Sequence, residues 1–392
     1  MIFSKTYKMN FRFFLFFSIF AFVSFFEIAS ALEYIRFKDN QGKERNEEGQ
    51  VLFETSDTFV LAARDGQLYF VKREDTFSKR SDDAPFVPYT KAEMIERLKR
   101  EFPPNKGFYY KEMYDPFIVV YTTSRPFANW YGTLLQKLHE QYVSHWNKLG
   151  VKLTAPEVPL VAIMLSNEEM FRQYAQQAGV KLSKEQCAYY HKLTNRIVLY
   201  DISGQQAFRE GMQRNAATSR DIQEFLRQPN NIKNVIHEAV HQVGFNTGMH
   251  PRLALIPVWL CEGLAVFHEV PDTRNKIGWT LGPHINRERL NQLNRYLNKT
   301  HRESPIRNMI KNDDLFRGEK TALDNYALAW GLTFYFVKKR PKELAAYLAI
   351  LQTKTPESDD TEDIRVKEFE SCFGDNWEKF HQEFYDFLER MK

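Results

Sequence analysis

The chain has 392 residues, with 54 Lys plus Arg against 50 Asp plus Glu, 43% hydrophobic residues and 27% charged ones. Together with a mean hydropathy of -0.51, this excludes a polytopic membrane protein and a mostly disordered chain, and the length leaves room for two or three folded units. The basic excess is small and scattered, so no nucleic-acid partner is expected.

The first residues carry Lys5, Lys8 and Arg12, followed by fourteen positions, Phe13 to Phe26, that hold only apolar side chains and two serines. That run is shorter than the roughly 18 residues a membrane span needs, and Ala29-Ser30-Ala31 supplies the small-x-small site a signal peptidase cuts after. The expectation is a signal peptide over residues 1–31, cleavage before Leu32 and an exported protein, periplasmic or secreted. An uncleaved anchor is the competing reading. Cleavage removes three basic residues and one acidic, taking the formal charge from +4 to +2 and leaving no stable membrane span. Export would permit disulfides, but Cys187, Cys261 and Cys372 allow at most one pair, with Cys187–Cys372 the pairing that leaves Cys261 free.

Short β-prone runs (Tyr34–Phe37, Val51–Phe53, Thr58–Leu61, Leu68–Val71) separated by turn signals predict a small all-β module over residues 32–88, closed by a polar linker from Ser78 to Asp83. Residues 89–230 read as an α/β part: a helix over Ala92–Phe102, a buried strand at Phe117–Tyr121, a helix over Trp130–Trp146 and a strand at Leu160–Leu165. Ser166 with Glu169 predicts the next helix start through a reciprocal cap. Ala188–His191 and Ile197–Tyr200 flank a turn and predict an antiparallel hairpin. Residues 231–392 read as helix and loop, with the acidic stretch Glu357–Asp363 taken as a solvated loop. The fold class expected is α+β.

One motif stands far above background. His237-Glu238-Ala239-Val240-His241 is an H-E-x-x-H, a pattern expected by chance about 0.02 times in such a chain. Ile232, Val235, Ile236, Ala239, Val240 and Val243 recur at helical spacing around it, and Gly244 reads as a helix stop. Residues four apart on a helix share a face, so both imidazoles can reach one zinc at about 2.0 Å. Glu238, one position round, can serve as general base without ligating. A third ligand is needed. The metzincin extension fails, because Thr247 stands where its third histidine belongs and His250 comes three residues late. Further along the chain, Pro257-Val258-Trp259-Leu260-Cys261-Glu262-Gly263-Leu264-Ala265 is an apolar segment starting on a proline suited to a first helical turn. A lone carboxylate in such a segment wants a cation, and two histidines plus one glutamate form a catalytic zinc set with a fourth position left for water. Cys261 reads as packing.

The H-E-x-x-H, with W-L-x-E-G-x-A placing its glutamate 21 residues after His241, resembles the gluzincin (peptidase MA-like) zinc metallopeptidases, close to the secreted bacterial type catalogued as domain of unknown function 1570. The resemblance runs from about Tyr114 to the C-terminus and takes in Tyr326–Trp330 and Phe373–Asp375. It implies a zincin-like fold, Zn2+ held by His237, His241 and Glu262, Glu238 as base, and a peptide or protein substrate. Tyr326, 64 residues past Glu262, matches the place where several gluzincins carry an oxyanion-stabilising tyrosine; a core tyrosine beside Trp330 is the other reading. His250 and His268 are further candidates for that donor, each with a plainer reading as a loop or surface histidine. The expected function is therefore that of an exported zinc metallopeptidase. The alternative is a noncatalytic exported binding protein that keeps the fold with a structural zinc, whose mark would be a fourth protein ligand such as His250.

Overall fold

In a computed structural model, the described residues are 31–202, 229–270, 272, 279–281, 284–299, 305–318 and 320–391. The signal-peptide expectation for residues 1–31 lies outside them apart from Ala31. Among the described residues there are two five-stranded sheets and eleven α-helices, an α+β architecture. No helix among them is long and apolar enough to cross a membrane.

The first sheet comprises β1 (Ala31–Lys38), β2 (Glu44–Glu54), β3 (Thr58–Ala63), β4 (Leu68–Lys72) and β5 (Thr76–Pro85), all paired antiparallel in the order β4-β3-β2-β1-β5. One face buries Ile35, Phe37, Phe59, Leu61 and Val71. Where the sequence predicts a linker, Ser78 to Asp83, the chain forms most of β5, paired to β1 from Leu32↔Asp82 to Phe37↔Thr76. β5 is an edge strand exposed along nearly its whole length, so its pairing relies on backbone hydrogen bonds and leaves no apolar alternation to read.

Three helices frame the second sheet. In chain order come α1 (Lys91–Glu101), β6 (Tyr109–Tyr114), β7 (Phe117–Tyr121), α2 (Arg125–Lys148), β8 (Leu160–Leu165), α3 (Glu168–Gln177), β9 (Ala188–His191) and β10 (Arg196–Tyr200). The order across the sheet is β6-β7-β8-β10-β9, with β7, β8 and β10 parallel and the outer two strands antiparallel to their neighbours. Ile118, Val120, Val161, Ile163 and Val198 face the cluster that contains α1 and α3 residues. Phe117, Val119, Ala162, Met164 and Leu199 face the larger cluster containing α2. Burial on both faces is why β7 and β8 read as unbroken apolar runs. The cap of α3 is Asn167, whose side chain accepts from Met170 N, not the expected Ser166–Glu169 pair. Ser166 instead takes part in the strand-to-helix junction, where its amide donates to Thr122 Oγ1.

The remaining helices are α4 (Pro229–Asn246), α5 (Val258–His268), α6 (Arg287–Lys299), α7 (Pro305–Lys311), α8 (Ala322–Lys339), α9 (Pro341–Gln352), α10 (Glu362–Phe373) and α11 (Trp377–Glu389). Gly244 does not stop α4, which runs on to Asn246; a Cβ at Gly244 would lie 3.2 Å from His250 Nε2, so the glycine serves close packing. The chain turns instead at Gly248, with φ +76°. Pro257 is the N-cap of α5, one residue earlier than expected. The acidic stretch is not wholly solvated either. Asp360 is buried between Lys354 and Arg365, and Arg365 also holds Asp313, whose Oδ1 accepts from Val258 N at 2.9 Å and so caps α5. All three cysteines are free; Cys187 packs against Asn234 and Cys372 against Ser371, so the Cys187–Cys372 pair is not formed.

The first sheet contacts the second through the β9–β10 turn. Leu68 N donates to Leu193 O at 2.8 Å. Arg252, from the α4–α5 loop, donates to Gly66 O at 2.8 Å and to Lys192 O at 2.6 Å. Burial pulls its guanidinium pKa below the ordinary value. Arg252→Met would strand buried carbonyls, at about 1–3 kcal/mol per unsatisfied group. The expected outcome is a lower Tm and faster hydrogen exchange at the β9 amides. Unchanged exchange there would mean that the turn is held without Arg252.

Candidate metal centre

Two helices carry the donor set. α4 presents His237 and His241 one turn apart on one face, because residues four apart stack. α5 presents Glu262, and every residue of α5 is buried. His237 Nε2 lies 3.1 Å from Glu262 Oε2 and 3.3 Å from His241 Nε2, and His241 Nε2 lies 3.6 Å from Glu262 Oε1. One donor atom from each of the three thus falls within 4.8 Å of the others, a group able to hold a metal ion. Imidazole and carboxylate donors at this spacing fit zinc, and Glu262, only 1% exposed, is a buried charge that needs a cation.

Electrostatics point the same way. Burial by itself would raise the Glu262 carboxyl, but the rings of His241 and His237 outweigh it and hold the group well below the ordinary carboxylate range. Burial likewise opposes charge on His237, yet Glu262 and Glu269 overcome it and raise the ring to about 10. Glu269 is a residue that the motif spacing does not single out. Its Oε2 sits 3.2 Å from His237 Nδ1, on the side away from Glu262, while Asn286 Nδ2 lies 3.5 Å and Arg289 3.6 Å from its other oxygen. A carboxylate behind a ligating histidine fixes the ring's orientation and tautomer. The available signal is its place just past α5, seven residues after Glu262, where two turns of helix return a side chain to nearly the same face.

Glu238 is half-buried beside the group, and its Oε2 accepts from Tyr190 N of β9 at 2.9 Å. Tyr326, on α8, also reaches the site. Its ring lies 6.3 Å from that of His237, and the carboxylates of Glu262 and Glu238 act on its phenol. Burial first, then the carboxylates of Glu262 and Glu238, raises the phenol well above its ordinary value, so it stays a donor. The approach of α8 depends on Gly263: a Cβ there would lie 2.8 Å from Ala329 O and 2.4 Å from Thr333 Oγ1.

The other histidine candidates are elsewhere. His268 is buried in the core and accepts from Trp146 Nε1 at 3.1 Å. His250 is buried behind Gly244, is pushed down to about 3 by burial, His241 and Lys192, and its Nε2 is 4.0 Å from Cys261 Sγ. Neither is a surface histidine, and neither belongs to the three-residue donor group found among the described residues.

With this geometry, Glu262→Ala should abolish stoichiometric zinc binding, and Glu269→Gln should weaken it by about 10- to 100-fold, both read by metal analysis and competition with a chromogenic chelator. Metal-free His237 keeps its proton up to about pH 10, and a metal must displace it. Affinity should therefore rise with pH through the neutral range, by about tenfold per unit while one proton is released. Calorimetry in buffers of different ionisation enthalpy measures that proton; a pH-independent affinity would remove His237 from the ligand set.

No curated protein matches the chain. The model of a family described as "Protein of unknown function (DUF1570)" matches residues 231–358, so the segment that carries all three candidate ligands, Glu238 and Tyr326 is similar to that family.

Proposed function

We propose that the protein is an exported zinc metallopeptidase of the gluzincin type, with a zincin-like fold, acting on peptides or proteins. The observation that carries this reading is the convergence of His237, His241 and Glu262 around one point, with Glu238 held beside them by an amide of an edge strand. When bound by those three residues, zinc would supply Lewis-acid polarisation of a carbonyl and make water acidic enough to ionise near neutral pH.

The chain's own residues supply the rest. Glu238 is fixed through Oε2, which leaves Oε1 to take the proton from the attacking water. The water oxygen then adds to the scissile carbonyl carbon, and Glu238 returns the proton to the leaving amine. Tyr326, kept protonated by its surroundings, is placed to donate to the developing oxyanion. Glu269 holds His237 in orientation. An extended peptide is read by β9, the edge strand that passes the site, because backbone pairing tolerates sequence. The rival reading, a binding protein with a structural zinc, needs a fourth protein ligand. His250, the candidate for that place, is outside the donor group.

Cleavage of a peptide library by zinc-loaded protein, with and without chelator, tests the proposal. Glu238→Gln should retain zinc and fold while abolishing hydrolysis, since an amide cannot accept the proton; near wild-type turnover by that variant would refute the mechanism. Tyr326→Phe should lower kcat by roughly a hundredfold or more with little change in KM. Unchanged turnover together with a lowered Tm would assign Tyr326 to packing.

A further inference from the structure

We propose that the Lys192 ammonium, over the ring of Phe245 one helical turn beyond His241, is a subsite for a carboxylate of the substrate, either an acidic side chain or a free C-terminus. The inference rests on the peptidase reading and deepens it to a substrate class. Its ground is an uncompensated cation on the path a peptide would take.

His237, His241 and Phe245 lie four apart on α4, so they share one face, each about 6 Å further along the axis than the last. Phe245 therefore sits one turn beyond the second histidine. Tyr190 of β9 stacks against its ring at 6.0 Å and 20°, and the Lys192 ammonium lies over that ring, 4.8 Å from its centroid. The strand whose amide holds Glu238 thus leads, two residues later, to a half-buried ammonium above an aromatic floor.

Among the described residues, no carboxylate lies within 4 Å of that ammonium. Its neighbour Arg252 is a second cation whose hydrogen bonds all go to neutral carbonyls, and burial holds the nearby His250 ring below its ordinary value. Burial lowers the Lys192 ammonium to about 8, with Cys261 opposing the shift and Arg252 adding to it, as expected of a largely desolvated cation. The main chain beneath it is fixed. Asn195, at φ 59°, exchanges side-chain hydrogen bonds with Asn246 of α4 at 2.7 Å, and Gln242 donates to Asn195 O at 2.8 Å. A preorganised, partly desolvated ammonium strengthens a charge-assisted hydrogen bond to an incoming carboxylate and disfavours a cationic side chain in the same place.

The test uses the full zinc-loaded chain and matched peptides built on one common sequence. They carry Glu, Gln or Lys at each position in turn, and a free or amidated C-terminus. The wild type should favour the carboxylate at one position by at least about tenfold in kcat/KM. The position identifies the source: an internal one means a side chain, and the last residue means the terminus. Lys192→Met should bring the ratio close to one, Lys192→Glu should invert it toward basic peptides, and Lys192→Arg should retain it, with Tm measured for each. Binding of the same peptides to zinc-loaded Glu238→Gln, read by calorimetry, separates this inference from the one beneath it. Hydrolysis with no carboxylate preference overturns the subsite and leaves the peptidase standing. Carboxylate-dependent binding without hydrolysis by the wild type overturns the peptidase and supports the subsite. Binding and hydrolysis both indifferent to the carboxylate and to Lys192 reject the subsite.

Discussion

A single buried carboxylate sets the terms for the helical half of this protein. Glu262 sits in a helix whose other residues are apolar, glycine or a terminal histidine, all of them buried, and a lone charge there would cost several kcal/mol without partners. Its partners are the two histidines of α4. The packing of α4 on α5 is therefore chemical as well as hydrophobic, and the register between the helices is fixed at the point where the two rings meet the carboxylate. From there the support spreads outward: Glu269 behind His237, Asn286 and Arg289 behind Glu269, and Asp313 at the head of α5, itself held by Arg365.

This arrangement explains which features are legible in the sequence. The convergence of His237, His241 and Glu262, with Glu238 beside them, is readable because a metal site demands fixed residue types at fixed spacing on helices, and helical spacing translates directly into geometry. The parallel strands are readable because burial on both faces leaves continuous apolar runs, as in Phe117–Tyr121 and Leu160–Leu165. The Ala188–Tyr200 hairpin is readable from the turn between two β-prone runs.

What escapes is what depends on long-range partners. β5 is polar because it is an exposed edge, and nothing local distinguishes such a strand from a linker. Asp360 is surrounded by charged neighbours in sequence, and only the fold reveals that it faces Lys354 and Arg365 out of water. Glu269 looks like one more charge at a helix end until His237 is placed beside it. Gly244 carries the composition of a stop signal but serves as clearance for His250. In each case a contact formed only in the fold overrules what the local sequence suggests.

The bare backbone at Gly263 has a consequence for how α5 and α8 can move. With Ala329 O where a methyl would clash, α5 and α8 interlock at atomic distance, which fixes Glu262 against Tyr326 although the tyrosine comes 64 positions later in the chain. Sliding these two helices apart would break that interlock. On the peptidase reading proposed above, the wall free to yield would be the opposite one, where β9 and its turn are joined to the rest by hydrogen bonds that can be exchanged one at a time. The site is thus built like a vice with one fixed jaw.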